Sequence, residues 1–516
     1  MNAMSRLLQD TLLTTAVRYP DRTALIAGDV RKSYREVTDY ACRLAHALRE
    51  RGVRRGDRVA ILMDNTWQCA SSIYGVLLAG GVFVIINVQT KQDKLAFILR
   101  DAGALVLLSE PNFARVFGPI AAQWPTLRVL CTHDSNALST GVERLNDVLA
   151  NMPGTPPSQS SISLDLASLI YTSGSTGEPK GVMHTHQSML FALRSLVEYL
   201  RLKEVDRLLC VLPLAFDYGL YQLLMAVYTG AALVLERSFT YPAQIFNVLK
   251  AEGVTVFPGV PTIFAMLLDA HERQPLCFEK VQRVTNTAAA LPPSFNTRLR
   301  EIFPNADIYR MYGLTECKRV SYLPPEQNEQ KPESVGIAIP GTEVMVLDNE
   351  GQPVKPGEVG TLYVRGSHVM LGYWNQPEKT AHMLKSGSLP GERLLCTHDL
   401  FTVDEDGYLY FIGRTDDIIK SRGEKISPIE IETVLYGILG IREAAVLGVP
   451  DPLLGQAVKA FVSLMEGCAL SEGQIKKLCG DKLETFMVPK YVTFLPELPK
   501  SANGKTDKKA LAAMLP

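Results

Sequence analysis

The sequence has no C-x-x-C motif, and its nine cysteines are scattered singly along 516 residues. This pattern does not give the spacing of a disulfide framework, and it favours reduced thiols in a cytoplasmic protein. Basic and acidic residues almost cancel, 53 against 54, and no basic stripe indicates a nucleic-acid partner. No apolar run reaches the roughly twenty residues of a membrane-spanning helix, and the N-terminus lacks the pattern of a signal peptide. We therefore predict a cytoplasmic protein whose partners include neither a membrane nor a nucleic acid.

The remaining composition is that of a globular protein large enough for more than one domain. Hydrophobic residues make up 47% of the chain and charged residues 21%, and a single core seldom extends past about 250–300 residues. Short apolar stretches alternate with helical patterns, for example residues 59–63 followed by residues 67–80. This alternation is typical of α/β proteins, in which helices cover both faces of parallel sheets.

The most distinctive segment is the loop at residues 171–181 (Tyr-Thr-Ser-Gly-Ser-Thr-Gly-Glu-Pro-Lys-Gly), which is rich in glycine and hydroxyl side chains. Glycine lets the backbone approach a ligand closely, while successive N–H groups, hydroxyls and a lysine offer donors to phosphate oxygens. The apolar run at residues 164–171 predicts a buried strand that leads into the loop. A flexible linker is the alternative, but the rigid and charged sequence Glu178-Pro179-Lys180 argues against it. We therefore predict a phosphate-binding loop.

The loop has neither the G-x-x-x-x-G-K-[ST] spacing of P-loop NTPases nor the G-x-G-x-x-G of dinucleotide-binding folds. It closely resembles the phosphate loop of the adenylate-forming superfamily, which includes acyl-CoA synthetases, the adenylation domains of nonribosomal peptide synthetases and firefly luciferase. Several independent motifs in one order are far more specific than any single motif. The other superfamily motifs follow in the expected order at residues 33–37, 56–60, 312–316, 357–374, 397–399, 413–423 and 503–505.

The resemblance implies an α/β fold with two domains. The large N-terminal domain, residues 1–413, would combine stacked parallel sheets and helices with a β-barrel-like subdomain. A small α+β C-terminal lid, residues 414–516, would be mobile, and its size is compatible with a core of its own. Within the lid the sequence predicts a helix that starts near Ser427, a candidate cap, with Pro428 and acidic residues in the first turn.

The resemblance also implies a reaction in two steps. A carboxylate attacks the α-phosphate of ATP, giving an acyl-adenylate and pyrophosphate, and a thiol then takes the acyl group and expels AMP. Phosphoryl chemistry of this kind depends mainly on positioning and charge neutralisation. The residues that the resemblance assigns to ATP are Thr172, Ser173, Gly174, Ser175, Thr176, Gly177, Tyr312, Gly313, Asp399, Arg414 and Lys420.

Two of these residues have distinct expected roles in nucleotide binding. Tyr312 offers a flat face to adenine, and the Asp399 carboxylate can accept hydrogen bonds from both ribose hydroxyls. The superfamily usually has Thr-Gly-Asp at the ribose motif, whereas this chain has His398 in place of the glycine. We interpret His398 as a substitution tolerated at the surface. The alternative is that it contributes to specificity.

The expected catalytic residues are cations and oxygen donors around the phosphates. Lys505 is a point charge suited to bridging the attacking carboxylate and the α-phosphate, and only the motif distinguishes it from neighbouring lysines in the tail. Glu316 is expected to hold Mg²⁺, a cation that prefers oxygen ligands and phosphates. Thr315 and Lys180 would contact phosphate oxygens.

The start of the lid has two further assignments from the resemblance. Asp416 would be the hinge, because a lid that completes one site for adenylation and another for thiol transfer has to rotate. Gly423 would contact the pantetheine arm of the thiol substrate.

The segment after the phosphate loop bears on the acid substrate. Phe216-Asp217 resembles the Phe-Asp of amino-acid adenylation domains, whose aspartate pairs with the α-ammonium group of the substrate, and a buried Asp needs such a partner. An Asp satisfied by backbone amides is the alternative. Lys318 and Arg319 have two possible roles, binding a substrate carboxylate or lining the surface. The predicted pocket residues are Phe216, Asp217, Tyr218, Tyr221, Pro258, Thr287, Met311 and Val320.

These observations predict an AMP-forming acid–thiol ligase that uses ATP and Mg²⁺. We favour activation of an amino acid for the phosphopantetheine of a separate carrier protein. The alternative within the same fold is an acyl-CoA synthetase for a small or aromatic carboxylic acid, with CoA as the acceptor. Two further alternatives are a catalytically silent binding protein, which the intact motifs argue against, and a luciferase-like oxidation.

Overall fold

A computed structural model describes residues 5–132, 141–173, 179–287, 291–415, 417–421, 424–451, 454–501 and 504–514. Short strands alternate with helices, which confirms the α/β pattern expected from residues 59–80. The strands, labelled in chain order, are β1 Thr23–Ala27, β2 Val30–Ser33, β3 Arg58–Leu62, β4 Val82–Ile85, β5 Ala104–Ser109, β6 Arg128–Cys131, β7 Val142–Arg144, β8 Leu166–Ser173, β9 Pro179–Thr185, β10 Arg207–Cys210, β11 Ala232–Leu235, β12 Val256–Gly259, β13 Arg283–Asn286, β14 Asp307–Tyr312, β15 Ser321–Leu323, β16 Ile337–Ala338, β17 Glu343–Leu347, β18 Gly360–Arg365, β19 Gly372–Tyr373, β20 Leu384–Ser386, β21 Arg393–Val403, β22 Leu409–Arg414, β23 Ile419–Ser421, β24 Glu424–Ile426, β25 Ile441–Asp451, β26 Gly455–Leu464 and β27 Tyr491–Phe494.

The helices are mostly three to four turns long, and none in the part of the chain that the structure describes is long and apolar enough to cross a membrane. They are α1 Leu8–Arg18, α2 Tyr34–Glu50, α3 Trp67–Ala79, α4 Gln92–Ala102, α5 Ala114–Gln123, α6 Leu145–Ala150, α7 His186–Tyr199, α8 Asp217–Thr229, α9 Pro242–Ala251, α10 Pro261–Arg273, α11 Pro293–Ile302, α12 Pro377–Met383, α13 Pro428–Tyr436, α14 Glu472–Gly480 and α15 Lys508–Ala513.

The chain forms two compact units that do not follow a simple N- and C-terminal division. The first unit comprises Met1–Val256, Leu314–Arg319 and Gly366–Lys385. The second comprises Phe257–Gly313, Val320–Arg365 and Ser386–Pro516. The domain boundary at residue 413 therefore stays a prediction.

A sheet with strand order β19-β9-β8-β4-β3-β5-β6-β7 forms much of the first unit. The strands β3 to β7 pair in parallel, and β8 joins them in parallel through β4. Such buried parallel strands are apolar throughout, and Val82, Val84 and Leu107 are fully buried in one cluster here. The predicted strand before the phosphate loop is confirmed as β8, which pairs antiparallel with β9 on the other side of the loop.

The remaining strands of the first unit form a second parallel arrangement. β10, β11 and β1 pair in parallel, and the antiparallel β2 lies at the edge. The polar end of Tyr34, at the start of α2, is buried beside this group, and its hydroxyl lies 2.9 Å from the Ala226 and 2.6 Å from the Ala231 carbonyl oxygens. The hydrogen bond ties α2 to the segment between α8 and β11.

The second unit contains three groups of strands. β13 and β14 are parallel, β15 pairs antiparallel with β14, and β16 pairs antiparallel with β15. An antiparallel sheet follows in which β18 lies between β17 and β21, and β22 pairs with β21. The chain after residue 414 forms a smaller α+β layer, with β24-β23-β26-β25 and β27 packed on α13 and α14. The predicted α/β fold with a small α+β C-terminal part is thus confirmed.

The expected cap of the lid helix differs in detail from the prediction. α13 begins at Pro428 with Ser427 in the cap position, but the Ser427 side chain makes no capping hydrogen bond. Its hydroxyl donates instead to the Ile412 carbonyl oxygen. The side chain therefore fastens the start of the helix to β22 rather than satisfying the helix N–H groups.

The Tyr34 hydroxyl gives a stability prediction. Tyr34→Phe should lower the free energy of unfolding by about 1–3 kcal/mol, because it removes a buried donor from carbonyl groups that water cannot reach. Urea denaturation of the purified protein measures the change. Tyr241→Phe is the matched control, since Tyr241 is 67% exposed and should change stability little. Equal effects of the two substitutions would contradict the prediction.

Candidate active site

The phosphate loop is held by the two antiparallel strands β8 and β9. Thr172 lies opposite Lys180 and Ser173 opposite Pro179, so that the two strand ends that flank the loop are neighbours in the sheet. Thr172 and Lys180 are half-buried. Of the other predicted phosphate-binding residues, Gly174, Ser175, Thr176 and Gly177 lie outside the described residues.

Lys180 extends toward the aromatic residue of β19. Its ammonium lies 5.0 Å from the centroid of the Tyr373 ring, a cation–π contact. Burial and the nearby Lys379 ammonium lower the pKa of Lys180, while Glu316 acts in the opposite direction. The cation thus has a small hydration shell to lose when it meets a phosphate.

Glu316 shares Tyr373 with Lys180. The Tyr373 hydroxyl donates to Glu316 Oε1 at 2.6 Å, and burial raises the Tyr373 pKa so that the phenol keeps its proton. Within the described ranges, no three His, Cys, Asp or Glu side chains cluster as a protein-only metal site requires. The Mg²⁺ role expected of Glu316, with phosphates and water as the other ligands, therefore stays a prediction. Tyr373 was not predicted as a site residue, although it belongs to the Gly-Tyr-Trp motif of residues 372–374, which could have indicated it.

Buried groups fix the main chain of the same segment. His184 Nε2 lies 2.9 Å from the Thr315 carbonyl oxygen, which only accepts, so that the ring donates. Burial lowers the His184 pKa well below its ordinary value and keeps the imidazole neutral. The Met370 N–H donates to the Glu316 carbonyl at 2.7 Å. The structure thus places Thr315 and Glu316 on a backbone that is fastened at two successive carbonyl groups.

The predicted adenine and ribose residues lie together in the second unit. The Tyr312 hydroxyl donates to Asp399 Oδ2, although the two residues are 87 positions apart. Arg414 Nε lies 3.5 Å from Asp399 Oδ1, and Gly313 follows Tyr312 directly. The Tyr312 ring packs on Phe401 and Phe411 at centroid distances of 4.9 and 5.8 Å. Three separate motifs therefore converge on one carboxylate.

His398 is not the surface substitution that we expected. It is half-buried, and its backbone has φ of 57°, in the left-handed region that favours glycine. Its Nδ1 lies 3.8 Å from Cys396 Sγ, and its carbonyl accepts from the Thr415 N–H and hydroxyl. Histidine is among the residues that tolerate this conformation better than most. The backbone at this position is thus one that glycine, the usual residue of the motif there, would adopt without strain.

Lys505 follows a tight turn near the C-terminus. Gly504 has φ of 73°, and the Ser501 N–H donates to the Lys505 carbonyl at 2.7 Å, which closes the turn. The Thr262 hydroxyl donates to the Gly504 carbonyl at 3.2 Å. The Lys505 side chain is exposed. Lys420 lies in β23, whereas Asp416 and Gly423 lie outside the described residues, and the roles of all four remain predictions.

The predicted amine-binding aspartate already has a cationic partner. Lys318 Nζ lies 2.7 Å from Asp217 Oδ1, and the Lys318 side chain is 1% exposed. Burial lowers the Lys318 pKa, and the Asp217 carboxylate opposes that shift. The alternative that Lys318 and Arg319 line the surface is wrong, because both residues are buried. Lys318 was not foreseen as the partner, since 101 positions separate it from Asp217.

A glycine in the first turn of α8 positions Asp217. A Cβ atom at Gly219 would lie 2.3 Å from the Pro213 carbonyl oxygen and 2.6 Å from that of Leu212. Only glycine permits this approach of helix and preceding turn, which places Phe216 at the N-cap and Asp217 in the first turn. The carboxylate is also stabilised there by the helix dipole.

The other predicted pocket residues are buried in their own units. In the first unit, Tyr218 and Tyr221 are buried, with the Tyr221 ring centroid 5.9 Å from Lys318 Nζ, while Phe216 is half-buried. In the second unit, the Thr287 hydroxyl has no hydrogen-bond partner among the described residues. The remaining members of the set are likewise buried there: Pro258, Met311 and Val320.

Comparisons with known proteins show the family of the chain. The AMP-binding enzyme family model matches residues 12–374, and the model for the C-terminal domain of AMP-binding enzymes matches residues 430–505. A feruloyl-CoA synthase from Amycolatopsis sp is 32% identical, with 94% of each chain covered. The long-chain-fatty-acid–CoA ligase of Bacillus subtilis (strain 168) is 30% identical, with 98% of this chain and 94% of the relative covered.

A solved structure extends the likeness to the whole chain. The crystal structure of the anthranilate CoA ligase AuaEII in complex with anthranoyl-AMP has a TM-score of 0.91 and 29% sequence identity. The alignment covers 99% of this chain and 97% of the other. The likeness therefore includes the residues matched by both family models.

The buried pair gives a prediction for stability. Lys318→Met should lower the free energy of unfolding by about 3–5 kcal/mol, because it leaves Asp217 without its cation, and the double variant with Asp217→Asn should recover much of the loss. Urea denaturation measures both. Arg35→Met is the control, since the Arg35–Asp21 pair is 65% and 81% exposed and such pairs contribute about 0–1 kcal/mol. A Lys318→Met loss no larger than that of Arg35→Met would contradict the assignment.

The lowered Lys180 pKa gives a prediction for pH dependence. The ammonium should lose its proton below the 10.5 of an ordinary lysine, so that kcat/KM for ATP falls as pH rises through that lower pKa. Arginine keeps its charge throughout. Lys180→Arg should therefore move the alkaline decline of kcat/KM, measured from pH 7 to 10.5, to higher pH. Superimposable profiles for the two enzymes would show that Lys180 is not the titrating group.

Proposed function

Because this chain belongs to the AMP-binding enzyme family, we propose that it is an acyl-CoA synthetase for a small or aromatic carboxylic acid. It is an ATP-dependent, AMP-forming enzyme that activates a carboxylic acid. Our main expectation, activation of an amino acid for a separate carrier protein, gives way here to the alternative within the same fold. CoA is then the acceptor.

The observation that carries the proposal is the Asp217–Lys318 ion pair. The amino-acid hypothesis needs Asp217 to receive a substrate ammonium, but a lysine ammonium occupies one carboxylate oxygen at 2.7 Å. A second ammonium at the same place would have to be buried close to the first, which is unfavourable at low dielectric. An acid without an α-amino group avoids that repulsion.

The lining of the site supports a compact acid. Tyr218 and Tyr221 are almost fully buried on one face of α8, and their rings occupy volume that an extended acyl tail would need. Aromatic rings also pack well against an aromatic substrate. The names of two relatives point the same way, feruloyl-CoA synthase and anthranilate CoA ligase, although another relative is named for long-chain fatty acids.

In the first half-reaction a carboxylate oxygen attacks the α-phosphorus, and the bond to the pyrophosphate oxygen breaks. Both reactants are anions, so that fixed cations lower the barrier. Lys180 would contact the departing pyrophosphate, and Lys505 would contact the carboxylate and the α-phosphate. Glu316, with the phosphates, would hold Mg²⁺, which supplies further charge neutralisation. Tyr373 would orient the Glu316 carboxylate through its hydroxyl.

In the second half-reaction the CoA sulfur attacks the acyl carbon, and the carbon–oxygen bond to AMP breaks. The thiol proton passes to solvent, and AMP departs with the electron pair. Asp399, with Tyr312 and Arg414 beside it, would hold the ribose through both steps. By resemblance Gly423 contacts the pantetheine arm and Asp416 is the hinge of the lid.

A substrate panel tests the proposal. Purified enzyme is given ATP, Mg²⁺ and one acid, with CoA or with a phosphopantetheinylated carrier protein. AMP release and thioester mass are measured for benzoate, ferulate, propionate, palmitate, alanine and proline. We expect CoA thioesters from small or aromatic acids. Amino-acid-dependent pyrophosphate exchange with loading of the carrier alone would overturn the proposal.

Lys505→Ala is the catalytic control for that panel. It should lower acid-dependent pyrophosphate exchange by about a hundredfold or more, because its charge acts as the two anions meet. ATP binding, measured by calorimetry, should persist. The neighbouring Lys509→Ala variant changes an equally exposed tail lysine and should retain exchange. Full activity of Lys505→Ala would remove the assignment.

A further inference from the structure

The segment at residues 317–319 forms a strained turn beside α8. Lys318 has a backbone φ of 68°, a conformation that residues other than glycine rarely adopt. The Cys317 and Lys318 N–H groups both donate to the Leu314 carbonyl, at 3.1 and 2.8 Å. Strain of this kind persists where surrounding contacts fix it, frequently at functional sites. Here the turn buries two consecutive cations.

Only one of these cations has an anionic partner within the described ranges. Lys318 is paired with Asp217, as shown above. Arg319 is 5% exposed, and its guanidinium lies 5.1 Å from the centroid of the Tyr218 ring. Arg319 Nη1 donates to the Lys318 carbonyl at 2.9 Å, whereas its Nε has no hydrogen-bond partner among the residues that the structure describes.

The other neighbour of Arg319 does not supply an anion. The His368 ring lies beside the Arg319 main chain and stacks on Phe191 with centroids 5.2 Å apart. Burial lowers the His368 pKa to about 4, so that the ring is neutral near pH 7. The contacts of the guanidinium are thus a carbonyl group and an aromatic face, and no carboxylate pairs with it among the residues that the structure describes.

A buried charge without a counter-ion is expensive, and it is retained where a ligand supplies the missing charge. Guanidinium binds a carboxylate through two parallel N–H···O bonds, a geometry that lysine does not offer. Tyr218, on which Arg319 lies, belongs to the predicted acid pocket.

We propose that Arg319 binds a second carboxylate of the acid substrate, so that the enzyme prefers dicarboxylic acids. This inference rests on the proposed acyl-CoA synthetase function. The Asp217–Lys318 ion pair then has no net charge and stabilises the turn. Arg319 binds the carboxylate of the substrate that does not react.

Matched pairs of acids test the inference on the unmodified enzyme. The pairs are succinate with butyrate, glutarate with pentanoate, and isophthalate with 3-methylbenzoate, each with ATP, Mg²⁺ and CoA. Thioester formation gives kcat/KM. A site built to bind a polar group discriminates strongly against analogues that lack it. We expect at least one diacid to exceed its partner by ~100-fold or more.

Two variants connect the preference to Arg319. Arg319→Met keeps much of the side-chain volume and should remove the diacid preference, mainly by raising KM for the diacid, while the monoacid changes little. Arg319→Lys should restore part of the preference, since lysine supplies the positive charge but not the two parallel N–H donors of the guanidinium. Thermal denaturation and ATP binding check that the variants fold, and Arg35→Met serves as a surface control.

The outcomes separate this inference from the proposed function. CoA thioesters from monoacids, with no diacid preferred, would overturn the inference and leave the acyl-CoA synthetase assignment in place. Loading of amino acids onto a carrier protein, with no CoA thioester from any acid, would overturn both. A diacid preference that Arg319→Met leaves intact would also overturn the role of Arg319.

Discussion

The segment at residues 314–319 is held in one conformation, and adjacent side chains there are the ones that we propose for contact with phosphate, metal and acid. Buried polar contacts provide this constraint. The neutral His184 ring and the Met370 N–H fasten two successive carbonyl groups, and the Asp217–Lys318 pair fixes the end of the segment. Buried polar groups are costly unless paired, so that displacing the segment would break several of these contacts together. The residues proposed for specificity and for catalysis in the first unit thus lie on the same short stretch of chain.

The placement of charge follows from the reaction. Two anions must meet during adenylation, and fixed cations stabilise that encounter only if water does not screen them. Lys180 is half-buried against Tyr373, and Lys318 is fully buried against Asp217. Lys180 has only a weak aromatic contact and can therefore bind phosphate. The charge of Lys318 is neutralised by Asp217, so that Lys318 cannot. The difference agrees with the proposed catalytic role of Lys180 and with a structural role for Lys318.

The local features of the fold followed from the sequence, whereas long-range pairing did not. The apolar run at residues 164–171 predicted β8, because hydrophobic periodicity depends on neighbours in sequence. Ordered motifs brought Tyr312 and Asp399 into one site. The partnership of Lys318 with Asp217 had no local signal, and neither did the left-handed backbone of His398 or the Ile412 carbonyl that takes the Ser427 hydroxyl. Such contacts are decided by tertiary packing.

The left-handed conformation of His398 has a consequence for the unfolded chain. A glycine at this position samples many more backbone conformations before folding than a histidine does, so that the histidine loses less conformational entropy when the turn forms. Part of the strain in the folded turn is therefore offset before the chain folds. The neighbouring Asp399 carboxylate is ordered on a stiffer peptide, whose carbonyl also accepts a hydrogen bond from Thr415, directly after β22. The rigidity of the predicted ribose site and the anchoring of the chain after β22 are thereby linked through one residue.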